Sequence, residues 1–225
     1  ANTGTPAWAN DSTLAGWYLL TDATPTISSY LIGNGSNGTI AGYTSFGSTG
    51  STERSLGAVP TNAFYGASGT GKGYFGLVLQ NTTGSAIGSL DIGYTGEEWR
   101  VQNATAHTLT FSYKTSATVP ADATAFATAT TGWNSVSALT FTSPILSSTA
   151  AALDGNAAAN RTALSTTISG LNIPNNEYIL LRWADLNDSG NDQIMAIDDL
   201  TVTATSAGAA LSINDVTLPA EGNSG

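Results

Sequence analysis

The chain has 225 residues, among them 16 Asp and Glu, 6 Lys and Arg and no cysteine, which gives a net charge of −10. So few basic residues offer no patch for phosphates, which excludes nucleic acid as a partner, and no apolar run is long enough to insert into a membrane. Without disulfides a secreted domain of this size needs another source of stability, and we expect a bacterial secreted or cell-surface protein.

Strands are predicted along most of the chain, because short apolar or alternating segments recur between glycine-rich turns. In chain order the predicted strands are 16–20, 75–79, 90–94, 107–114, 136–141, 178–183 and 193–204. In 178–183 the alternation places Ile179, Leu181 and Trp183 in the core and Arg182 on the opposite face. The pattern predicts one all-β domain over residues 1–205, built as an antiparallel β-sandwich.

An acidic loop between the last two predicted strands has the spacing of an oxygen-ligand calcium site. Its side chains at alternate positions are short and polar, and Gly190 allows a sharp turn. The twelfth position, where an EF-hand carries a bidentate Glu, is Ala196 inside a strand, so no helix–loop–helix is implied. We predict structural Ca²⁺ with ligands from Asp185, Asn187, Ser189, Asp192, Asp198 and Asp199. A solvated acidic turn is the alternative interpretation.

Asp198 occupies an unusual place in the last predicted strand. Counting by twos puts it on one face with a set of apolar residues, Ile194, Ala196, Leu200, Val202 and Ala204. A carboxylate at a core position must be neutralised, because burying an unpaired charge costs several kcal/mol. Calcium would supply that neutralisation, and an ion pair with Arg182 or Arg100 is the alternative.

The sequence contains no evident catalytic constellation. His107, the one histidine, lies on the apolar face of a strand, which favours a buried histidine with a backbone partner. One histidine and no cysteine argue against zinc catalysis and thiol chemistry. Glu97 and Glu98 are adjacent, so they point to opposite faces of a strand and are not the facing pair of a glycosidase. We therefore predict that the protein is not an enzyme.

Aromatic residues in turns are the candidates for contact with a glycan. Trp133 follows Gly132 in a predicted turn, and Tyr43 and Tyr65 lie in glycine-rich segments. Most tryptophans of β-sandwiches pack in the core or at its rim, so a structural role is the alternative.

The segment AIDDLTVTA at 196–204 resembles the last strand of jelly-roll domains of the carbohydrate-binding-module and MAM type. GWY at 16–18 is similar to their first strand. The segments SFGSTGSTERSLG, IGYTGEEWR, LTFSYKTSAT, FTSPI and LDGNAAANR resemble parts of a module of large bacterial secreted multidomain proteins. The resemblance implies a jelly roll whose first and last strands are adjacent, with an aspartate of the last strand helping to hold structural calcium.

The C-terminal residues differ from the rest of the chain. Residues 206–210 have the composition of a linker, and LSINDVTLPAEGNSG at 211–225 resembles the start of a Calx-beta repeat. We expect the natural polypeptide to continue past Gly225. The strand-forming tail also predicts self-association or fibre assembly, because an unpaired strand can add to the sheet of another chain.

These features together predict a function for the chain. We expect a non-catalytic, calcium-stabilised extracellular module that serves structure or adhesion at a bacterial surface or in a secreted assembly. The alternative is a carbohydrate-binding module that is accessory to a secreted hydrolase and takes a glycan as its partner.

Overall fold

The computed structural model describes residues 4–128 and 131–208, and nearly all of its regular elements are strands. The strands are β1 (Trp17–Thr21), β2 (Leu31–Gly33), β3 (Gly42–Phe46), β4 (Ser55–Val59), β5 (Lys72–Gln80), β6 (Ile87–Val101), β7 (Thr108–Ser116), β8 (Asn134–Ser135), β9 (Phe141–Thr142), β10 (Ala151–Ala152), β11 (Arg161–Ile168), β12 (Tyr178–Leu186) and β13 (Ile194–Ser206). The helical elements are the short helix α1 (Asn62–Tyr65) and 3₁₀ turns at Ala123–Phe126, Ser137–Leu139 and Ala158–Asn160.

The strands form two sheets that pack face to face as a β-sandwich of jelly-roll type. One sheet has the order β1-β5-β12-β7-β8, with β9 also paired to β7. The other has the order β10-β6-β13-β4-β3-β2, with β11 also paired to β6. Each pairing is antiparallel except that of β2 with β3. The predicted all-β sandwich is therefore confirmed.

Trp183 lies at the centre of the core between the sheets. Its ring packs against Trp17, Phe111 and Tyr94, with ring centroids 5.9, 5.1 and 5.6 Å away. Arg182 points to the opposite face of β12, where its Nε donates to the Ser112 hydroxyl. The alternation predicted for this strand is confirmed.

The predicted adjacency of the first and last strands is wrong. β1 pairs with β5 in one sheet, whereas β13 lies between β6 and β4 in the other. Gly57 of β4 makes the close packing beside β13 possible, because a Cβ there would lie 2.4 Å from the Met195 carbonyl oxygen. Of the strand predicted at 136–141, only Phe141 is in a strand, and a 3₁₀ turn precedes it.

A bulge in β13 changes the predicted faces of the last strand. Ile194 and Ala196 lie on the outer face of their sheet, packed with Phe46, Val59 and Trp99. The register with β6 shifts between Asp198 and Thr201, so Leu200 and Val202 pack against the core instead. Asp198 therefore lies on the outer face with Ile194 and Ala196. The prediction that it shares a face with Leu200 and Val202 is wrong.

The outer face of the six-stranded sheet is covered by the segment that contains the 3₁₀ turn Ala123–Phe126. Phe126, in the turn after Asp122, packs on Tyr18, Tyr74 and Leu180 of that face. No helix among the described residues is long and apolar enough to cross a membrane. The predicted linker from residue 209 onward and the predicted tail strand 211–225 lie outside the described residues.

Candidate functional site

The six predicted calcium ligands do not form one cluster. Asp185 is the penultimate residue of β12 in the six-stranded sheet, and Asp192 lies in the loop that follows this strand. Asp198 belongs to β13 in the seven-stranded sheet. Among the described residues, these acidic side chains fall into two groups, which we call the outer cluster (Glu53, Glu97, Asp198) and the loop cluster (Asp185, Asp188 and Asp192, together with His107).

The outer cluster forms where β6, β13 and the segment before β4 meet. Glu97 of β6 is opposite Ala196 of β13, and β13 in turn pairs with β4, which begins two residues after Glu53. One carboxylate oxygen each from Glu53, Glu97 and Asp198 lies within 4.8 Å of the others. Neighbouring strands thus bring three acidic groups together from distant parts of the sequence.

Glu97 is the buried member of the outer cluster, with 1% of its surface exposed. Its Oε2 accepts a hydrogen bond of 2.9 Å from the Trp99 indole, but its buried Oε1 has no hydrogen-bond partner within residues 4–128 and 131–208. Burial raises the pKa of the Glu97 carboxyl above its ordinary value. Arg161 faces Glu97 from β11, yet no ion pair joins them within the described residues.

Asp198 and Asp199 have different surroundings although they are adjacent. Burial, followed by the hydrogen bond with Glu53, raises the pKa of Asp198 to about 7. Asp199 is exposed, adopts a φ of 53°, and accepts a 3.1 Å hydrogen bond from the Thr95 hydroxyl. The geometry thus places Asp198 in the outer cluster and leaves Asp199 outside it.

The loop cluster lies at one end of the sandwich. Asp185 is 2% exposed, and its Oδ2 accepts a 3.1 Å hydrogen bond from the Tyr65 hydroxyl. Asp192 is also buried, and its Oδ1 accepts a 2.6 Å hydrogen bond from the Asp188 amide. Burial and the nearby Asp192 carboxylate raise the pKa of Asp185.

His107 faces these carboxylates from the start of the neighbouring strand. Its Nδ1 lies 3.3 Å from Asp188 Oδ2 and 3.9 Å from Asp192 Oδ1. The same nitrogen accepts a hydrogen bond of 3.2 Å from the Gln193 amide. His107 is buried with a backbone partner, as the sequence pattern favoured, but its contact with the acidic loop was not predicted.

Asn187 and Ser189, two further predicted ligands, make other contacts. The Asn187 side chain donates to Asn62 Oδ1 at 2.8 Å and to the Gly66 carbonyl at 2.6 Å, so it ties the loop to α1. Ser189 is exposed, and its backbone carbonyl accepts from Asn103. Their role as calcium ligands stays a prediction.

The three aromatic residues proposed to contact a glycan are less exposed than expected. Tyr43 and Tyr65 are fully buried, and the Tyr43 hydroxyl donates to the Leu20 carbonyl at 2.7 Å. Trp133 is partly buried against Phe126. The Arg182 guanidinium lies 4.1 Å from its ring centroid. The expected exposure of the two tyrosines is wrong, because Tyr43 belongs to β3 and Tyr65 to α1, and both side chains pack in the core.

A polar cleft is present where no site was predicted. Its volume is about 590 Å³, and it runs between the segment before β1 and the 3₁₀ turn that follows Asp122. The polar residues that line it include Asn10, Asp11, Tyr18, Thr26 and Asp122. The lining residues come from two distant segments, 10–26 and 121–124, and carry no common motif, so sequence patterns gave no signal for the cleft.

Comparisons with known proteins find a distant likeness of structure. No family model matches the chain, and no curated protein matches it. The CBM22-2 xylan-binding domain of Paenibacillus barcinonensis Xyn10C is similar over 88% of this chain and 98% of that chain, at 12% identity and a TM-score of 0.37. The CBM22-1 domain of the same protein is similar over 75% of this chain and 82% of that chain, at 11% identity and a TM-score of 0.37.

A third similar structure is of a different kind. The enzymatically active domain of bacteriophage CBA120 tailspike protein 4 is similar over 84% of this chain and 19% of that chain, at 13% identity and a TM-score of 0.37. Likeness at this level carries no argument about binding or catalysis. The functional argument therefore rests on the side chains described above.

Proposed function

We propose that the chain is a non-catalytic extracellular module whose sandwich is stabilised by calcium bound at the outer cluster. The observation that carries the proposal is the Glu97 carboxylate, which is buried with one oxygen unpartnered and lies within 4.8 Å of two further carboxylates. Three oxygen donors of this kind suit Ca²⁺, which prefers carboxylate, carbonyl and water ligands. Glu53, Glu97 and Asp198 would hold the ion.

The charge of the protein supports the same proposal. Within residues 4–128 and 131–208, no side-chain nitrogen of Lys or Arg lies within 4.0 Å of a carboxylate oxygen. Carboxylates that are gathered without basic partners repel one another, and a divalent cation removes that repulsion. Bound calcium would also link β6, β13 and the segment before β4, which otherwise meet through backbone hydrogen bonds and apolar packing.

Thermal unfolding in calcium and in EDTA tests the proposal. Extracellular calcium modules bind with Kd values of about 10⁻⁴–10⁻³ M, so 5 mM calcium should add about 1–2 kcal/mol of stability. For a domain of this size the gain corresponds to a rise in Tm of about 2–8 °C. The Asp198→Asn and Glu97→Gln variants should lose most of the response.

Asp199→Asn is the matched control, because it removes a neighbouring carboxylate that lies outside the outer cluster. This variant should keep the full response to calcium. Equal melting temperatures of the unmodified protein in calcium and in EDTA would show that the outer cluster holds no stabilising calcium.

The wider role we propose is structural or adhesive, at a bacterial surface or in a secreted assembly. The excess of acidic residues and the lack of cysteine support an extracellular module that uses cations in place of disulfides. Assembly through residues 211–225 and their Calx-beta-like character stay predictions, since these residues lie outside the described ranges.

Carbohydrate binding is a second candidate function, and the polar cleft favours it. The cleft offers carboxylates of Asp11 and Asp122 together with Tyr18, groups that hydrogen-bond sugar hydroxyls. Affinity electrophoresis in gels containing soluble polysaccharides tests this function. A retarded protein should lose its retardation when Thr26→Trp fills the cleft, whereas equal retardation of both proteins would exclude the cleft as the binding site.

A further inference from the structure

The loop cluster differs from the outer cluster because it contains an imidazole nitrogen. The Gln193 amide donates to Nδ1 of His107, and this hydrogen bond assigns the lone pair to Nδ1 and the ring proton to Nε2. Asp188 Oδ2 nevertheless lies only 3.3 Å from the same nitrogen. Two atoms that both present lone pairs repel each other at this distance unless a cation lies between them.

The buried acids behind His107 increase the need for positive charge. Asp185 is 2% exposed and Asp192 is 6% exposed, and the two carboxylates lie close enough to disfavour each other's ionisation. Neither forms an ion pair with Lys or Arg in the described part of the chain. Two deeply buried acids therefore face a third carboxylate and an imidazole whose pKa is lowered by burial, and no Lys or Arg of the described residues compensates them.

The distances in the cluster suit a small transition-metal ion. Ligand atoms 2.0–2.2 Å from a tetrahedral zinc ion lie about 3.4 Å from one another. The distances from His107 Nδ1 to the Asp188 and Asp192 oxygens are 3.3 and 3.9 Å. The Asp188 side chain is 28% exposed, which gives an ion a path from solvent.

We infer that His107 Nδ1, Asp188 Oδ2 and Asp192 Oδ1 form a binding site for a divalent transition-metal ion of the Zn²⁺ class. The ion would replace the Gln193 amide as the partner of the Nδ1 lone pair. Imidazole and carboxylate are common zinc ligands, whereas calcium takes oxygen ligands alone. The site is distinct from the outer cluster in both position and preferred metal, and it does not depend on calcium binding there.

The composition of the chain excludes competing histidine and cysteine ligands from a zinc-binding test. His107 is the one histidine and there is no cysteine, so a protein without an affinity tag offers no second imidazole or thiolate ligand. Metal-free protein is titrated with zinc in 5 mM calcium, which fills the outer cluster. We expect one zinc ion per chain, with the affinity lowered about tenfold or more by His107→Gln and by Asp188→Asn.

Nuclear magnetic resonance of the single histidine detects the metal at the imidazole nitrogen itself, so it distinguishes a lost ligand from a loss of folding. Zinc should shift the Nδ1 resonance of the imidazole strongly and leave Nε2 as the protonated nitrogen. Asp198→Asn serves as the matched acidic variant, since it should abolish the calcium response and preserve zinc binding. His107→Gln should weaken zinc binding and preserve the calcium response.

Two results would overturn the inference. The first is equal zinc affinity in the unmodified protein and in folded His107→Gln. The second is an imidazole that carries protons on both nitrogens at neutral pH and does not respond to zinc, because a proton on Nδ1 would then be the cation facing Asp188.

Discussion

At the scale of single residues, the buried acids of β6 have opposite orientations. Glu97 points to the outer face and belongs to the outer cluster, whereas Glu98 points to the side of β6 on which its partner Met195 packs in the core. Glu98 is fully buried, its Oε2 accepts a 2.8 Å hydrogen bond from the Ile145 amide, and its Oε1 has no partner. Burial raises the pKa of the Glu98 carboxyl to about 7.

This raised pKa predicts a stability that depends on pH. A carboxyl that titrates near pH 7 when folded, and near 4.5 when unfolded, stabilises the fold below pH 4.5 and loses that contribution as the pH rises through 7. The difference amounts to about 3 kcal/mol. Glu98→Gln should therefore raise the free energy of unfolding by up to about 3 kcal/mol at pH 8 and change it little at pH 4.5. Chemical denaturation at the two pH values measures the effect.

A surface substitution provides the comparison for that measurement. Glu177→Gln changes a partly exposed carboxyl whose side chain forms no hydrogen bond among the described residues, so its effect should stay within about 0.5 kcal/mol. A Glu98→Gln variant that is destabilised at pH 8 would mean that the buried carboxylate has a cationic partner in solution.

At the scale of elements, the bulge in β13 determines which side chains reach each face. The register with β6 shifts between Asp198 and Thr201, and Asp199 adopts a left-handed φ of 53° within that shift. The bulge turns Leu200 and Val202 toward the core after Ile194, Ala196 and Asp198 have faced outward. Without the bulge, either the apolar residues or the acidic residue would lie on the wrong face.

The backbone at Asp199 therefore predicts a selective effect of substitution. Asparagine adopts a positive φ easily, but a β-branched side chain is strained there by about 1–3 kcal/mol. Asp199→Val should lower the free energy of unfolding by that amount relative to Asp199→Asn, as measured by urea denaturation. Equal stabilities of the two variants would show that residue 199 does not adopt the left-handed conformation in solution.

Periodicity predicted the elements that are regular and missed those that depend on tertiary contacts. The alternation in β12 correctly placed Trp183 in the core and Arg182 outside it. The β3–β4 hairpin was missed because its strands are short and rich in glycine and serine. An alternating pattern does not show a bulge, so Leu200 and Val202 were wrongly assigned to the same face as Asp198. Glu53 and Glu97 join Asp198 only through strand pairing, and short-range patterns cannot show that contact.

At the scale of the whole molecule, the protein combines a large aromatic core with an excess of acid. The sandwich centred on Trp183 has no disulfide, and several of its buried acidic groups have no Lys or Arg partner among the described residues. We propose that cations from the medium compensate these groups, with calcium at the outer cluster and a transition-metal ion at the loop cluster. Stability should then depend on the ionic composition of the medium.

A crystal structure of the protein grown in calcium, with an anomalous difference map, tests this account most directly. We expect one strong peak at the outer cluster, about 2.3–2.6 Å from carboxylate oxygens of Glu53, Glu97 and Asp198. No peak there, together with refined coordinates in which the Arg161 guanidinium contacts the cluster or Glu53 and Asp198 hydrogen-bond each other, would show that calcium does not occupy it.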